Sequence, residues 1–300
     1  MAPEEVAERA ATYLETALVD GTHAVGAYDG QEYDDVGLTI DILWARLAAG
    51  HRVAAVAPIV EWLASPEVVG PYTGEVEDGV YAAATAKTGL AFHASGLSEQ
   101  LASKQLATLM TLIAADGRLS DQSEFGDYSS PIGQALGILL LVTGSEGEAA
   151  GKAAAFLASQ QCEDGGFPVA YPDSGETACE SDLDTTALAV DALAVAGGQE
   201  EALTSAITFL AKEQGADGSW SSFGGPSTNT TALAAEAVEL DSAHAKAASR
   251  AREWLASRQN DDGGLPVAGE GDSDPRATAQ AVLALSGQGL LGVLGLVPAG

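Results

Sequence analysis

Apolar and polar positions along the chain recur as a block. An aromatic–Leu pair inside an amphipathic stretch is followed, eight residues after the aromatic, by an Asp-Gly turn. The clearest copies run from Phe156-Leu157 to Asp164-Gly165, from Phe209-Leu210 to Asp217-Gly218, and from Trp254-Leu255 to Asp262-Gly263. Weaker copies lead from Tyr13-Leu14 to Asp20-Gly21, from Trp62-Leu63 to Gly70, and from Leu109-Met110 to Asp116-Gly117. The six anchors fall at positions 13, 62, 109, 156, 209 and 254. A fixed period of this length marks a repeat architecture, in which each unit buries its apolar face on its neighbours.

Each unit predicts two helices. The first is amphipathic and is expected to end at the Asp-Gly turn, where glycine supplies the left-handed conformation that stops a helix. The second is apolar around most of its girth, as in Thr185–Val195, Thr230–Leu240 and Thr278–Leu285, which is the pattern of a buried helix. Period-2 alternation is lacking, so no strands are predicted. Twelve helices in six hairpins, with the second helix of each buried, predict an all-α fold: an (α/α)6 toroid in two concentric layers. The chain reads as a single domain over 1–300, with repeats near 4–50, 51–98, 99–145, 146–198, 199–242 and 243–290.

Composition narrows the function. Hydrophobic residues make up 46% and charged residues 19%, enough apolar material for a full core and too much for a disordered chain. Against 13 Lys+Arg stand 43 Asp+Glu, for a net charge of −30, which argues against nucleic acid as a partner because phosphate binding needs clustered cations. The N-terminus shows no basic and apolar leader, and no apolar run is long enough to span a membrane. The acidic surface suits an extracellular or cell-surface protein whose export signals were trimmed; the cytoplasm is the alternative. Cys162 and Cys179 lie 17 residues apart around one loop and read either as a disulfide pinning it or as two free thiols. No C-x-x-C occurs and the histidines are scattered, so no metal site and no cofactor are expected.

The unit aromatic-Leu-x-x-x-Gln…Asp-Gly-Gly/Ser-Phe/Trp, followed by Asp-x-Asp-x-Thr-Ala-x-Ala at Asp182–Ala189, resembles the prenyltransferase/squalene–hopene cyclase repeat. The resemblance spans about the whole chain and is clearest over 156–285. It implies the α/α toroid shared by class II terpene cyclases, protein prenyltransferase β subunits, thioester domains and cobalamin carriers. The chain looks most like the small acidic repeat proteins of this superfamily found at actinobacterial cell surfaces. Class II cyclases carry D-x-D-D, whose middle aspartate protonates the substrate. Here Asp184 would match that acid, and Thr185 replaces the last aspartate. The competing reading makes Ser181 or Asp182 a helix N-cap. The D-D-x-x-D motif of diphosphate ionisation, the Asp/Cys/His zinc set of protein prenyltransferases and the thioester G-C-G-E-Q are all absent. The second domain that completes a cobalamin carrier does not follow the toroid.

Aligned by repeat, the second helices suggest two polar columns. The lower reads Asp41, Lys87, Gln134, Asp191, Glu236 and Leu283. The upper, at the helix starts, holds Asp34, Asp127, Asp184, Asn229 and Arg276, with rim loops carrying Tyr128, Asp173 and Ser227. Isolated charges in a core are costly. The lower column therefore lines a polar ligand pocket or pairs into a structural network, with Lys87 neutralised by Asp41 or Gln134 hydrogen-bonded beside it. The candidate ligand-binding set is Asp34, Asp41, Lys87, Tyr128, Gln134, Asp182, Asp191, Asn229, Glu236 and Arg276, with Asp184 the candidate acid. The functional expectation is a non-enzymatic, exported toroid that binds a small molecule of corrinoid or isoprenoid type, or a surface partner. The alternatives are a class II terpene cyclase-like enzyme and a structural interaction module. Oligomeric state is left open by the sequence.

Overall fold

Each apolar stretch of the repeat folds as a helix in the computed structural model, which describes residues 1–74, 79–171 and 179–299. In chain order the α-helices are α1 (Pro3–Thr16), α2 (Val36–Ala48), α3 (Val53–Leu63), α4 (Pro66–Thr73), α5 (Ala82–Ser95), α6 (Glu99–Met110) and α7 (Pro131–Thr143). They continue as α8 (Gly147–Ala158), α9 (Leu183–Ala196), α10 (Glu200–Glu213), α11 (Thr228–Glu239), α12 (Ala245–Ser257), α13 (Pro275–Ser286) and α14 (Gly289–Val293). Helices α2, α7, α9, α11 and α13 are buried around most of their girth. By contrast α1, α8, α10 and α12 bury one stripe.

The loops hold short strands that the sequence did not predict. These are β1 (Leu18–Val19), β2 (His23–Tyr28), β3 (Gln31–Asp34), β4 (Gly79–Val80), β5 (Gln122–Ser123), β6 (Phe167–Pro168), β7 (Ser181–Asp182), β8 (Trp220–Ser222) and β9 (Gly225–Ser227). They pair antiparallel as β1-β2-β3, β4-β5, β6-β7 and β8-β9. The longest has six residues, too short for a period-2 signal to stand out.

The chain divides into two compact units, Met1–Val68 with Ala94–Ser98 and Gln214–Gly295, and Val69–His93 with Glu99–Glu213 and Leu296–Gly300. In the first unit α13 packs against α1, α2 and α11, so elements from both ends of the chain share one core. In the second, α9 packs against α7, α8 and α10.

The Asp-Gly turn is not the helix cap that the sequence suggested. Helix α8 stops at Ala158, well before Gly165. What requires glycine is close approach. Gly165, Gly218 and Gly263 have φ of 97°, 97° and 95°, and a Cβ there would meet the carbonyl oxygens of Ser205, Arg250 and Arg9 at 2.7, 2.8 and 2.9 Å. The aspartate oxygen receives the backbone N–H two residues on, as in Gly166 to Asp164 at 3.1 Å and Gly264 to Asp262 at 3.0 Å. The glutamine three before each aspartate clamps the turn to the neighbouring helix. Gln161 Nε2 donates to the Gly165 and Ala202 carbonyls, Gln214 to those of Gly218 and Ala247, and Gln259 to those of Gly263 and Val6.

A second recurring geometry ties these three turns to the buried helix that follows each. The backbone N–H groups of Phe167, Trp220 and Leu265 donate to Thr186, Thr231 and Thr278 Oγ1 at 2.8, 2.9 and 2.8 Å. Phe167, Trp220 and Leu265 are fully buried, each contributing roughly 2–3 kcal/mol by leaving water.

Cys162 and Cys179 are joined as a disulfide with their Cα atoms 5.5 Å apart. At the corresponding place near the C-terminus, Asn260 Nδ2 instead donates to the Gly271 carbonyl at 3.0 Å. Both turns carry the same serine–aspartate bond, Ser181 to Asp164 and Ser273 to Asp262. The disulfide thus reinforces a turn that hydrogen bonds already shape. Replacing both cysteines by serine is expected to leave the helical circular dichroism unchanged while stability falls by about 3 kcal/mol, the loop-closure value for this separation. Calorimetry should read that as a Tm loss of roughly 5–10 °C.

Candidate ligand-binding site

Helix α9 begins at the motif Asp182-Leu183-Asp184-Thr185-Thr186. Asp182 is its N-cap: Oδ1 accepts the Thr185 N–H and the Thr185 hydroxyl, both at 2.7 Å. Thr186 Oγ1 donates to the Asp182 carbonyl and accepts from Phe167. The capping expectation therefore applies to Asp182, and Thr185 helps to make it. Asp184 is half-buried two residues into the register, with Oδ1 sealed from solvent.

The caps correct the alignment of the second helices. Asp35, Ser130, Asp182, Ser227 and Asp274 each receive the N–H three residues on. Counted from these, Asp184, Asn229 and Arg276 share the second position, but Asp34 precedes its cap and Asp127 lies in the loop before Ser130. Gln134 occupies the fourth position, Asp41 the sixth, and Asp191 and Glu236 the ninth. At 3.6 residues per turn the fourth and ninth positions point roughly 140° apart. The lower column expected from the sequence is therefore not one column, because the loops before α2 and α7 differ in length from those before α9, α11 and α13.

Most of the polar candidates are engaged by protein. Gln134, 1% exposed, accepts from Leu119 N–H at 2.9 Å and the Tyr171 hydroxyl at 3.3 Å, and donates to the Gly117 and Ala153 carbonyls at 2.8 and 3.0 Å. It stands where other repeats have threonine and also makes the clamp that Gln161, Gln214 and Gln259 make elsewhere. Its amide holds backbone and has no capacity left for a ligand, against the sequence reading. Glu236 Oε2 receives the Leu290 N–H at 2.8 Å and so caps the start of α14. Arg276 donates to Asp35 at 2.8 Å and to Asp41 at 2.9 Å. Burial opposes the charge on Arg276, but Asp41 and Asp35 beside it hold its pKa above the ordinary arginine value. Asp41 is thus paired with Arg276, a partner that the sequence did not suggest.

The other candidates are dispersed. Asp34 is exposed and lies 3.3 Å from His23 Nε2. The Tyr128 side chain is exposed, its hydroxyl donating to the Phe125 carbonyl. Lys87 is half-buried on α5 and Asn229 half-buried at the start of α11. Asp173 lies outside the described residues. Asp191, in the middle of α9, is 5% exposed, and burial alone lifts its pKa from the usual carboxylate range to about 7.

One cluster escaped the sequence reading. The Arg118 guanidinium lies 4.8 Å from the Tyr171 ring centroid and pairs with Asp127 at 2.7 Å, while Phe156 meets the Tyr171 ring edge-on at 5.4 Å. Burial raises the Tyr171 pKa, with Arg118 opposing. Phe156 is a repeat anchor and Asp127 an upper-column candidate, but Arg118 and Tyr171 have no counterpart in the other repeats, so periodicity carried no signal for the contact. Among the described residues no group of three or more His, Cys, Asp or Glu side chains is placed to hold a metal ion. No single described helix is long and apolar enough to cross a membrane.

Comparison with known proteins places this arrangement. Residues 147–300 match the squalene–hopene cyclase C-terminal domain family. A protein from Actinoplanes of known crystal structure superposes with a TM-score of 0.72 at 17% identity, covering 97% of this chain and 99% of its own. The type II terpene cyclase MstE from Scytonema, in complex with its substrate geranylgeranyl dihydroxybenzoate, gives a TM-score of 0.72 at 17% identity over 98% and 97% of the two chains. The ent-copalyl diphosphate synthase from Streptomyces platensis gives 0.58 at 20% identity, over 86% of this chain and 50% of its own. No curated protein matches the sequence. The fold is therefore the α/α toroid of the prenyltransferase and terpene cyclase superfamily. Since the matched segment is half of the sequence, the chain belongs to the squalene–hopene cyclase C-terminal domain family.

Proposed function

We propose that this protein binds a small, largely apolar molecule of isoprenoid type without transforming it, and that it acts at the cell surface or outside the cell. The start of α9 carries the reading. Of the motif that a protonating cyclase uses, the first aspartate is a helix cap held by Thr185, and the last carboxyl is replaced by that same threonine. Protonating a carbon–carbon double bond needs an unusually strong acid, and an acid gains strength from neighbours that hydrogen-bond its conjugate base. Asp184 has lost the carboxyl neighbour that the motif supplies. The ligand class follows from kinship with cyclases, one of which is known with a geranylgeranyl compound bound. It is favoured over a corrinoid, for which no feature of the chain speaks. The disulfide suits an oxidising compartment. A second reading, a cyclase with Asp184 as its acid, draws on the surviving middle aspartate of the motif.

Incubation with squalene and with geranylgeranyl diphosphate separates the two. Native mass spectrometry should find an intact ligand in complex, and solvent extraction followed by gas chromatography should return it uncyclised. A cyclised product that disappears in Asp184→Asn would establish the second reading. Absence of any complex and any product would remove both.

A further inference from the structure

The third repeat departs from the clamp geometry of the others at one position. Gln161, Gln214 and Gln259 each reach a carbonyl near the start of a neighbouring helix, that of Ala202, Ala247 or Val6. The residue three before Asp116 is Ile113, which has no amide to give. Gly117 of this turn packs against the Lys152 carbonyl, as Gly165, Gly218 and Gly263 pack against those of Ser205, Arg250 and Arg9. The clamped carbonyl lies three residues before each of these, so its counterpart in the third repeat is Ala149. Gln134 holds this turn from α7 instead, through the Gly117 and Ala153 carbonyls.

Where the clamp is missing, the structure holds a cleft of about 390 Å³ between the end of α6 and the start of α8. Met110, Ile113 and three alanines, Ala149 among them, give it apolar walls, and Glu146, Glu148 and Lys152 supply its charge. The size and the mixture of apolar walls with a few polar groups are those of a small-molecule site. Met110 is 38% exposed, and an unbranched thioether side chain adapts to what lies on it. No residue of α9 or of its motif takes part.

The charges define what the cleft can take. Lys152 Nζ lies 2.8 Å from Glu148 Oε1, so these two are paired. Glu146 stands at the N-cap of α8, yet its side chain makes no capping bond. Two carboxylates against one ammonium leave one negative charge, and Glu146 carries it. The chain as a whole, at −30, draws cations toward its surface.

We propose that this cleft binds a small organic monocation, an amine with an apolar body. The body lies on Met110 and Ile113, and the ammonium meets the Glu146 carboxylate. The site is independent of the isoprenoid-binding function proposed above, and neither rests on the other.

The chain has two methionines, Met1 and Met110. Protein isotopically labelled at the methionine methyl groups therefore reports the cleft through one NMR signal and carries a control in the other. The probes are phenylbutylamine and its neutral analogue phenylbutanol. The amine is expected to shift the Met110 signal saturably, to leave Met1 in place, and to bind about tenfold more tightly than the alcohol, the size of one charge-assisted contact. Glu146→Gln should bring the amine down to the affinity of the alcohol and leave the alcohol unchanged. Lys152→Gln, which frees Glu148, should tighten the amine. Ile113→Gln, which offers the missing amide to the Ala149 carbonyl, should weaken both probes while circular dichroism stays that of wild type. Equal affinity of wild type for amine and alcohol, or an amine affinity unchanged in Glu146→Gln, overturns the cation assignment. A Met110 signal that neither probe moves overturns the site.

Discussion

Gln134→Leu is expected to destabilise the protein by about 3–5 kcal/mol, although the two side chains are similar in size. The substitution strands the Leu119 N–H and the carbonyls of Gly117 and Ala153. Each buried polar group left without a partner costs roughly 1–3 kcal/mol. It also unpins the Tyr171 hydroxyl. Differential scanning calorimetry should show a Tm loss on the order of 10 °C. A ligand-contacting glutamine would behave in the opposite way, with binding lost and Tm kept. A melting curve unchanged from wild type would therefore return Gln134 to the candidate site.

The second large effect is expected at Arg276. Replacing it by leucine takes the Arg276 cation from two carboxylates, that of the α2 cap Asp35 with 14% and that of Asp41 with 10% side-chain exposure. Breaking a buried pair from one side costs more than the pair contributes, because the remaining charge is stranded. The half-exposed arginine moderates this, so a loss of about 2–4 kcal/mol is expected. The double variant Arg276→Leu with Asp41→Leu should recover much of it, since a buried ion pair replaced by apolar side chains is often neutral. Urea unfolding of the two single variants and the double closes the cycle. Additive losses would mean that Arg276 and Asp41 act independently, and that the contact does not hold α13 to α2.

The repeat was legible because it is written in types that physics constrains narrowly. Gly165, Gly218 and Gly263 must lack a Cβ, and Gln161, Gln214 and Gln259 must reach two carbonyls at once. The motif at Asp182–Thr186 was legible for the same reason, and the cap it predicted is present. The short strands were not legible, nor was the reason for the Asp-Gly turn. A glycine stopping a helix and a glycine pressed against a neighbouring carbonyl look alike in sequence.

The polar columns show where sequence alignment fails. Spacing by seven joined Asp41, Gln134 and Asp191, yet their helices start at caps that only the loop paths fix. The sequence reading put Asp127 at a helix start; the Ser130 hydroxyl receiving the Gly133 N–H places the cap three residues later. The Arg276 partners were hidden because Asp35 and Asp41 stand more than 230 residues away.

The sequence by itself determined most of the helices and the family, because burial periodicity and turn chemistry are local; α4, which runs through the turn expected at Gly70, and α14 were not in it. Only the tertiary structure decided which polar side chains are already satisfied. That depends on carbonyls and charges brought close from distant positions, as Gln134, Glu236 and Arg276 each show.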